Sequence, residues 1–337
     1  MTLPHKKFVV ASLIPTGIRC SIGGYIGDAT LVTNKLATVA DYVITNPNAV
    51  NGGAFNFKEK NVLYVEGYAI DQFFRGNMEL MLPKKNSVGV VVENISDPIA
   101  MRFTTKAIEA FKTIAGIDIK RIEYIEPLKK EVEYNHGQLF GSIEDIDRLI
   151  VAAKKLQNEH GVEVIALCTY IPASTEYVRQ YQSGAIANPY GQMEALLSHS
   201  VIAALGIPAA HAPLLTRKEM DFFLFDSFES DPRAALENVS PAYIGSVLLG
   251  LDTAPLFVGV GQGEIALNEV RALVIPSNCL RSIPVAMALK RKIPIIEVAE
   301  NTNIFGSLAL DIDQGVMRVD TYDTAVEAIK NLRTQMA

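Results

Sequence analysis

Seven apolar runs alternate with helical patterns along the chain and predict buried strands. Their hydrophobic residues are contiguous instead of alternating with polar ones, which is typical of strands covered on both faces. Strands of that kind belong to parallel sheets with helices packed against them. The pattern therefore predicts an α/β fold, with a largely parallel β-sheet or sheets flanked by helices. The predicted strands are residues 7–15, 40–46, 61–67, 87–94, 162–172, 271–278 and 293–301.

Helical periodicity is clearest in three segments. Apolar residues recur at helical spacing over 98–115. Ser142 and Asp145 form the weaker version of a capping box, which predicts a helix from residue 142 to about 160. A third helix is predicted over 190–205, where Gly and Pro residues mark both ends.

The longest polar stretch without periodicity suggests how the chain is divided. Residues 126–141 are the least regular segment between two predicted helices. We expect them to separate two intimately packed α/β lobes, residues 1–130 and 140–337. A second irregular segment, 212–240, is long enough to predict a functional excursion, because long loops in compact proteins usually have a functional role or are disordered.

Composition excludes several classes of protein. Hydrophobic residues make up 49% of the 337 residues and charged residues 20%, which is sufficient for a globular core. The formal net charge is -6, and no basic cluster of the kind that binds nucleic acid is present. No apolar run has the roughly 18 to 20 residues of a membrane span. We therefore expect neither a nucleic-acid partner nor a membrane partner.

The N-terminal stretch and the cysteines predict a cytoplasmic protein. The chain begins with two lysines and an apolar run, as a signal peptide does, but Pro15 and Gly17 interrupt that run. We interpret it as the first buried strand. Cys20, Cys168 and Cys279 are odd in number and lack CxxC spacing, so neither a disulfide framework nor a zinc site is indicated. A reducing compartment fits this usage.

The loop after the first strand is rich in small residues. Gly23 and Gly24, together with Thr16 and Asp28, predict a substrate-binding loop whose backbone N–H groups approach a phosphate or carboxylate. The spacing is neither GxGxxG nor a Walker motif, so no nucleotide cofactor is indicated and the cofactor stays unknown. Glycines that serve only turns and close packing are the alternative.

Polar side chains also follow other predicted strands. Ligands of parallel α/β sheets collect at the carboxyl ends of the strands, so these side chains are candidates for a site. We assign Glu300 to acid–base catalysis, since a carboxylate beside an amide is a plausible acid–base and orienting pair. For the asparagines, turn formation is the alternative. The predicted substrate-binding residues of this group are Asn46, Asn48, Asn51, Glu93 and Asn301.

The helix predicted over 190–205 is apolar around almost its whole circumference, yet it contains Glu194 and His199. The positive end of the helix favours Glu194 as an anion. We assign these two residues to acid–base catalysis or substrate anchoring; a core histidine with local partners is the alternative. His199 points about 100° away from Ser198, so the helix alone does not predict a Ser-His-Glu triad.

His211 is placed at the tip of a probable short strand and is a further candidate for substrate binding. Two histidines with a glutamate nearby are compatible with a metal, but HxxxH and HExxH spacings are absent, so a metal is not favoured. The cysteines leave a second alternative, a racemase-like enzyme. That chemistry needs two thiols that face each other across a cleft and have lowered pKa values.

Seven sequence blocks carry a family resemblance: IPTGIRCSIGGYIGDAT, ADYVITNPNAVNGG, NVLYVEGYAIDQF, NSVGVVVE, NPYGQMEALLSHSVIAALGIPAAHAP, DPRAALENVSPAYIGSVLLGL and IPIIEVAENT. Together they resemble DUF3326, a family of unknown function, over nearly the whole chain. The family pattern GVDPxGGxEA is AIANPYGQMEA here, with Asn188 at an acidic position and Gln192 at a glycine. The chain therefore looks like a divergent member, and the resemblance implies no chemistry.

These observations predict an enzyme for a small polar metabolite that bears a carboxylate or phosphate and reacts by acid–base chemistry. Isomerase, lyase and hydrolase stay open. The alternative is a non-catalytic metabolite-binding or regulatory protein. Titratable residues in a closed cleft would favour the enzyme, whereas amides and backbone groups alone would favour the sensor. We also expect a homo-oligomer, because symmetric dimers are the commonest closed form.

Overall fold

A computed structural model describes residues 7–23, 29–50, 57–82, 85–135, 138–183, 185–186, 188, 190–226, 240, 242–304 and 315–336. Within these residues it has two parallel sheets and ten α-helices, which confirms the α/β fold predicted from the apolar runs. The strands are β1 (Val9–Ser12), β2 (Tyr42–Thr45), β3 (Val62–Tyr64), β4 (Glu79–Met81), β5 (Ser87–Glu93), β6 (Asp118–Ile125), β7 (Lys130–Asn135), β8 (Gln138–Ile143), β9 (Val164–Tyr170), β10 (Ala209–Leu214), β11 (Leu256–Val258), β12 (Val270–Pro276), β13 (Ile295–Val298) and β14 (Val316–Val319).

The helices connect and cover these strands, as a parallel sheet requires. They are α1 (Thr30–Ala37), α2 (Gly67–Arg75), α3 (Pro98–Ile114), α4 (Ile146–His160), α5 (Thr175–Gln182), α6 (Gly191–Leu205), α7 (Arg217–Asp221), α8 (Tyr243–Asp252), α9 (Ile283–Arg291) and α10 (Tyr322–Met336). Short 3₁₀ turns occupy Pro47–Ala49 and Leu267–Glu269, and a π-helical turn occupies Phe222–Asp226.

The larger sheet has six parallel strands in the order β14-β13-β12-β1-β2-β3. The smaller has four parallel strands in the order β10-β9-β5-β6. β1 lies inside the larger sheet, between β12 and β2, and all four of its residues are buried. All seven predicted strands are therefore parallel members of these two sheets.

The two sheets do not follow the order of the chain. The larger sheet takes β1–β3 and β12–β14 from the two ends of the sequence, and the smaller takes its strands from the middle. Each sheet thus receives strands from both predicted segments, 1–130 and 140–337. The polar stretch 126–141, expected to separate them, contains the antiparallel hairpin of β7 and β8.

The predicted helices 98–115 and 190–205 are confirmed as α3 and α6. Asp97 caps α3 because its carboxylate accepts hydrogen bonds from the backbone N–H groups of Ile99 and Ala100. Gly206, with φ 70°, ends α6 in the left-handed conformation that glycine adopts without strain.

The predicted start of α4 is wrong by four residues. Ser142 belongs to β8, where it pairs with Glu131, and so cannot cap a helix. Asp145 precedes the first helical residue, but its carboxylate accepts a hydrogen bond from the backbone N–H of Lys129 instead of capping α4. The two residues whose spacing predicted a capping box therefore belong to the β7–β8 hairpin and its hydrogen bonds.

The predicted excursion at 212–240 begins with regular structure. His211 lies in the middle of β10 and not at a strand tip, because the strand continues to Leu214. The short helix α7 follows, with a capping box formed by Thr216 and Glu219. Residues 227–239 lie outside the described residues.

A single hydrophobic core runs through both sheets. In the part of the chain that is described, no helix combines the length and the apolar character needed to cross a membrane. The carboxyl ends of β1, β2, β3 and β12 lie opposite α6, β10 and α8, and the space between them contains the cavity described next.

Candidate active site

A cavity of about 350 Å³ lies between the two parallel sheets. One wall consists of the residues that follow β1, β2, β3 and β12, and the other consists of residues of α6, β10 and α8. The carboxyl ends of parallel strands are the usual ligand position in α/β proteins. Six of the predicted site residues line this cavity: Thr16, Asn46, Asn48, Glu194, His199 and His211.

Glu194 and His211 form the first carboxylate–histidine pair of the cavity. Glu194 lies in the first turn of α6, and its Oε1 is 3.2 Å from Nδ1 of His211. Nε2 of His211 lies 3.0 Å from Oγ1 of Thr169 and 3.4 Å from the backbone nitrogen of Thr169. With Nε2 as the acceptor of these hydrogen bonds, Nδ1 carries the ring proton and donates it to Glu194. The carboxylate is therefore held in one orientation by a buried imidazole, whose side chain is 1% exposed.

Glu66 and His199 form the second pair. Nε2 of His199 is 2.7 Å from Oε1 of Glu66, and the histidine side chain is 42% exposed toward the cavity side. Glu66 also caps α2, because its Oε2 accepts a hydrogen bond from the backbone N–H of Tyr68 at 2.8 Å. The helix end thus fixes the carboxylate that holds His199. Nδ1 of His199 has no hydrogen-bond partner among the described residues.

The surroundings of His199 favour its protonated form. Burial lowers its pKa, but the hydrogen bond and charge of Glu66 and the charge of Asp71 outweigh burial and raise the pKa above the usual value. The contribution of the Glu66–His199 ion pair to the stability of the fold is therefore fully present below about pH 6.5. It is lost as the pH rises through the pKa that His199 has in the folded state.

This pKa shift gives a direct prediction. We expect the His199 imidazole to titrate above pH 6.5 in the wild-type protein and at lower pH after Glu66→Gln, because the substitution removes the charge and weakens the hydrogen bond. Proton–nitrogen NMR of the histidine rings measures both values. His160, at the end of α4, is an internal control whose titration should not respond to the substitution. An unchanged His199 titration in Glu66→Gln would show that Glu66 does not set its charge.

Ser198 does not pair with either histidine. Its Oγ lies 3.2 Å from Oε1 of Glu66 and 3.0 Å from the backbone carbonyl oxygen of Glu194. The hydroxyl therefore donates to a carboxylate or a carbonyl, and neither His199 nor His211 forms a hydrogen bond with it.

Tyr64 is a buried group beside both carboxylates. Its hydroxyl has no hydrogen-bond partner among the described residues, although its side chain is almost fully buried. Burial raises the pKa of Tyr64, and the charges of Glu194 and Glu66 raise it further, so the phenol keeps its proton. Unpartnered buried hydroxyls are uncommon, and this one lies close enough to the carboxylates of Glu194 and Glu66 to interact with their charges.

Asn46 and Asn48 shape the loops of the cavity. The side-chain amide of Asn46 bonds to both the N–H and the carbonyl oxygen of Ile14, at 2.9 Å each, and fixes the end of β1. Asn48 donates to the carbonyl oxygen of Gly23 at 3.0 Å. Both polar atoms of the Asn46 amide are therefore bonded to the backbone, and Asn46 positions the loop after β1.

Glu93 does not line this cavity, and its predicted role in substrate binding stays a prediction. Its carboxylate forms an ion pair with Nζ of Lys130 at 2.5 Å, and both side chains are at most 3% exposed. The backbone N–H groups of Leu128 and Tyr170 also donate to it, at 2.8 Å each. Glu93 therefore links the ends of β5 and β9 to the segment after β6. It lines a separate cleft of about 360 Å³.

Gly23, Glu300 and Asn301 also lie outside the residues that line the cavity. Asn301 is fully buried; its amide bonds to the N–H and carbonyl oxygen of Ile22 and donates to the hydroxyl of Tyr322. Glu300 is exposed and accepts a hydrogen bond from the N–H of Tyr322, at the start of α10. The pair stabilises the loop after β1 and a helix end instead of meeting a ligand in the cavity.

The glycine-rich loop is only partly described. Gly23, with φ +76°, is packed so closely that a side chain would meet the Cβ of Ala29 at 2.3 Å, which supports the packing interpretation for this glycine. Gly24, Asp28 and Asn51 lie outside the described residues, so their predicted roles stay predictions.

The cysteines are all buried and free. Cys279 lines the cavity and forms a thiol–thiol hydrogen bond with Cys20. That bond, burial and the proximity of Cys279 raise the pKa of Cys20, the opposite of what a thiolate base requires. Burial and the charge of Glu93 raise the pKa of Cys168 to about 12. These thiols do not face each other across a cleft, as the racemase-like alternative would need.

Sequence reasoning missed two acidic residues of the cavity, Glu66 and Asp71. Glu66 lies two residues after β3, near the strand end where polar residues were sought, and this position was the available signal. Asp71 is one helical turn further along α2. Burial raises the pKa of Asp71, His199 and Arg75 oppose that shift, and Glu66 adds to it. Among the described residues, no group of three or more His, Cys, Asp and Glu side chains is placed to hold a metal ion.

Comparison with known proteins identifies the family of the chain. A protein from Synechococcus sp., named an uncharacterized lipoprotein, is 29% identical over 321 residues, which cover 93% of this chain and 88% of the relative. The family described as "Protein of unknown function (DUF3326)" matches residues 9–337, from β1 through α10. The chain therefore belongs to the DUF3326 family, as its sequence blocks predicted.

Proposed function

We propose that the protein is an enzyme that binds a small polar metabolite between its two sheets and transforms it by acid–base chemistry. The observation that carries the proposal is the presence of two carboxylate–histidine pairs in one cavity, Glu194–His211 and Glu66–His199. Titratable side chains that line a cleft favour an enzyme over a sensor. The cavity has the size of ordinary small-molecule sites.

The two pairs are suited to different tasks. His211 is nearly sealed from solvent and orients Glu194, whose Oε2 accepts no hydrogen bond from the described residues. Glu194 is therefore the candidate general base. His199 is more exposed, is favoured in its protonated form and has its Nδ1 available, so it is the candidate proton donor. Proton removal at one position and proton delivery at another serves isomerases, lyases and hydrolases alike.

Blocking the cavity tests the proposal without knowledge of the substrate. Ala195 lines the cavity on α6, whereas Ala203 is exposed on the same helix. We expect Ala195→Trp to place an indole ring in the cavity, obstruct the binding of a metabolite and abolish conversion of metabolites in a cell extract, as followed by mass spectrometry. Ala203→Trp, the same substitution on a solvent-facing position, should convert the same metabolites as the wild-type protein.

The outcomes of this experiment are distinct. Loss of conversion in Ala195→Trp, with the far-ultraviolet circular dichroism of the wild type retained, supports the cavity as the site of the reaction. Equal conversion by wild type, Ala195→Trp and Ala203→Trp would contradict it, because an indole at residue 195 obstructs the part of the cavity next to Glu194 and His199.

We also propose a cytoplasmic location and a homo-oligomeric state. Three buried free thiols support a reducing compartment. The relative from Synechococcus sp. is named a lipoprotein. In this chain, cleavage before Cys20 would remove β1 from the interior of the six-stranded sheet, and Cys20 itself is fully buried. These two facts support Cys20 as part of the core instead of a lipid-bearing terminus.

A further inference from the structure

The charges around the cavity are unbalanced. Three carboxylates line it, those of Glu66, Asp71 and Glu194. The described lining residues include no lysine or arginine, so among them only His199 and His211 can carry a positive charge. The three carboxylates outnumber the two imidazoles, even when both imidazoles carry a charge. The described walls are therefore anionic.

Glu194 keeps one carboxylate oxygen for a further partner. It receives one hydrogen bond, from His211 to Oε1, while its Oε2 has no partner in the described part of the chain. Its position in the first turn of α6 stabilises the negative charge through the helix dipole. It thus presents a fixed anionic oxygen to whatever occupies the cavity.

Asp71 is a second carboxylate without a compensating hydrogen bond among the described residues. It lies on the face of α2 that lines the cavity and is close enough to His199 for their charges to interact. A partly buried carboxylate is destabilised unless a cation approaches it. The charges of His199 and Arg75 compensate only part of the cost of burial for Asp71, and a cation bound in the cavity would compensate more of it.

The remaining walls are aromatic and apolar. Tyr181, Phe223 and Tyr243 line the cavity, and the rings of Phe223 and Tyr243 meet edge to face with centroids 6.3 Å apart. Aromatic faces attract cations and also accept apolar groups. This combination suits a charged nitrogen attached to a small apolar body.

We propose that the ligand of the cavity carries a protonated amine, which the carboxylates of Glu194 and Asp71 bind. This inference rests on the proposed function, since it assigns a substrate class to the same cavity. The glycine-rich loop predicted a ligand that bears a carboxylate or phosphate. For the acidic walls of the cavity we propose a protonated amine instead.

Three probes of equal size and different charge test the proposal. Benzylamine, benzyl alcohol and benzoate share one ring and differ in carrying a positive, neutral or negative group at neutral pH. We expect benzylamine to bind best in ligand-detected NMR titrations. Glu194→Gln should weaken benzylamine at least about tenfold, since a charge-assisted hydrogen bond becomes a neutral one. Glu109→Gln, an exposed glutamate of α3, is the matched control and should leave the affinity unchanged.

The outcomes separate this inference from the proposed function. Benzoate or benzyl alcohol binding as tightly as benzylamine, in a site that Ala195→Trp blocks, would overturn the amine and leave the cavity as the site. Equal benzylamine affinity in wild type and Glu194→Gln would also overturn it. Benzylamine binding that survives Ala195→Trp would place the probe outside the cavity and contradict both.

Discussion

Replacement of Lys130 with methionine is expected to lower the free energy of unfolding by about 3–5 kcal/mol, the typical cost of removing one partner from a buried ion pair. The substitution leaves the Glu93 carboxylate buried with two backbone N–H donors and no counter-charge. Methionine keeps most of the volume of the lysine side chain, so the loss reports the charge and not a cavity. Denaturant unfolding followed by circular dichroism measures it.

The neighbouring residue provides the control. Lys129 is 74% exposed and lies 3.9 Å from Glu144, so Lys129→Met should change stability by less than about 0.5 kcal/mol. Glu93→Gln combined with Lys130→Met should recover part of the loss, because no unpaired charge remains buried. Equal stabilities for Lys130→Met and Lys129→Met would mean that Glu93 is not the structural link we describe.

Glu194→Gln is expected to have the largest effect on activity, a decrease in turnover of about 10²–10⁴-fold, as is typical when a general base is removed. Glutamine has the same shape and can still accept the hydrogen bond from His211, so the fold should be retained. Glu109→Gln should keep wild-type turnover. Unchanged turnover of the converted metabolite in Glu194→Gln would exclude Glu194 as the base.

The strands could be predicted because burial on both faces produces contiguous apolar runs. All seven predicted runs are parallel strands, but their order in space could not be read from the chain. The larger sheet brings the two ends of the chain together, because β1 pairs with β12, about 260 positions further along the sequence. Local patterns contain no information about such long-range pairing, so the division at 126–141 coincides with a hairpin and not with a sheet boundary.

The site was predictable in part for the same reason. Glu194 and His199 were noticeable as polar residues in an apolar helix, and both line the cavity. Of their partners, Glu66 was missed, because it is the cap of a helix 133 positions before His199. His211 was a candidate, although it lies inside a strand and not at its tip. Glu93 and Asn301 satisfied the rule that strand ends hold polar residues, but their hydrogen bonds are directed to the backbone.

Incubation of a cell extract with the protein in heavy water tests the central claim most directly. In heavy water, a general base that has removed a proton from a carbon atom returns a deuteron to it. With the wild-type protein, one metabolite should therefore gain the mass of a deuteron or be converted to a product. The same extract incubated with Glu194→Gln should stay unchanged over the same time. Mass spectra that are identical for wild type, Glu194→Gln and buffer would contradict acid–base catalysis in this cavity.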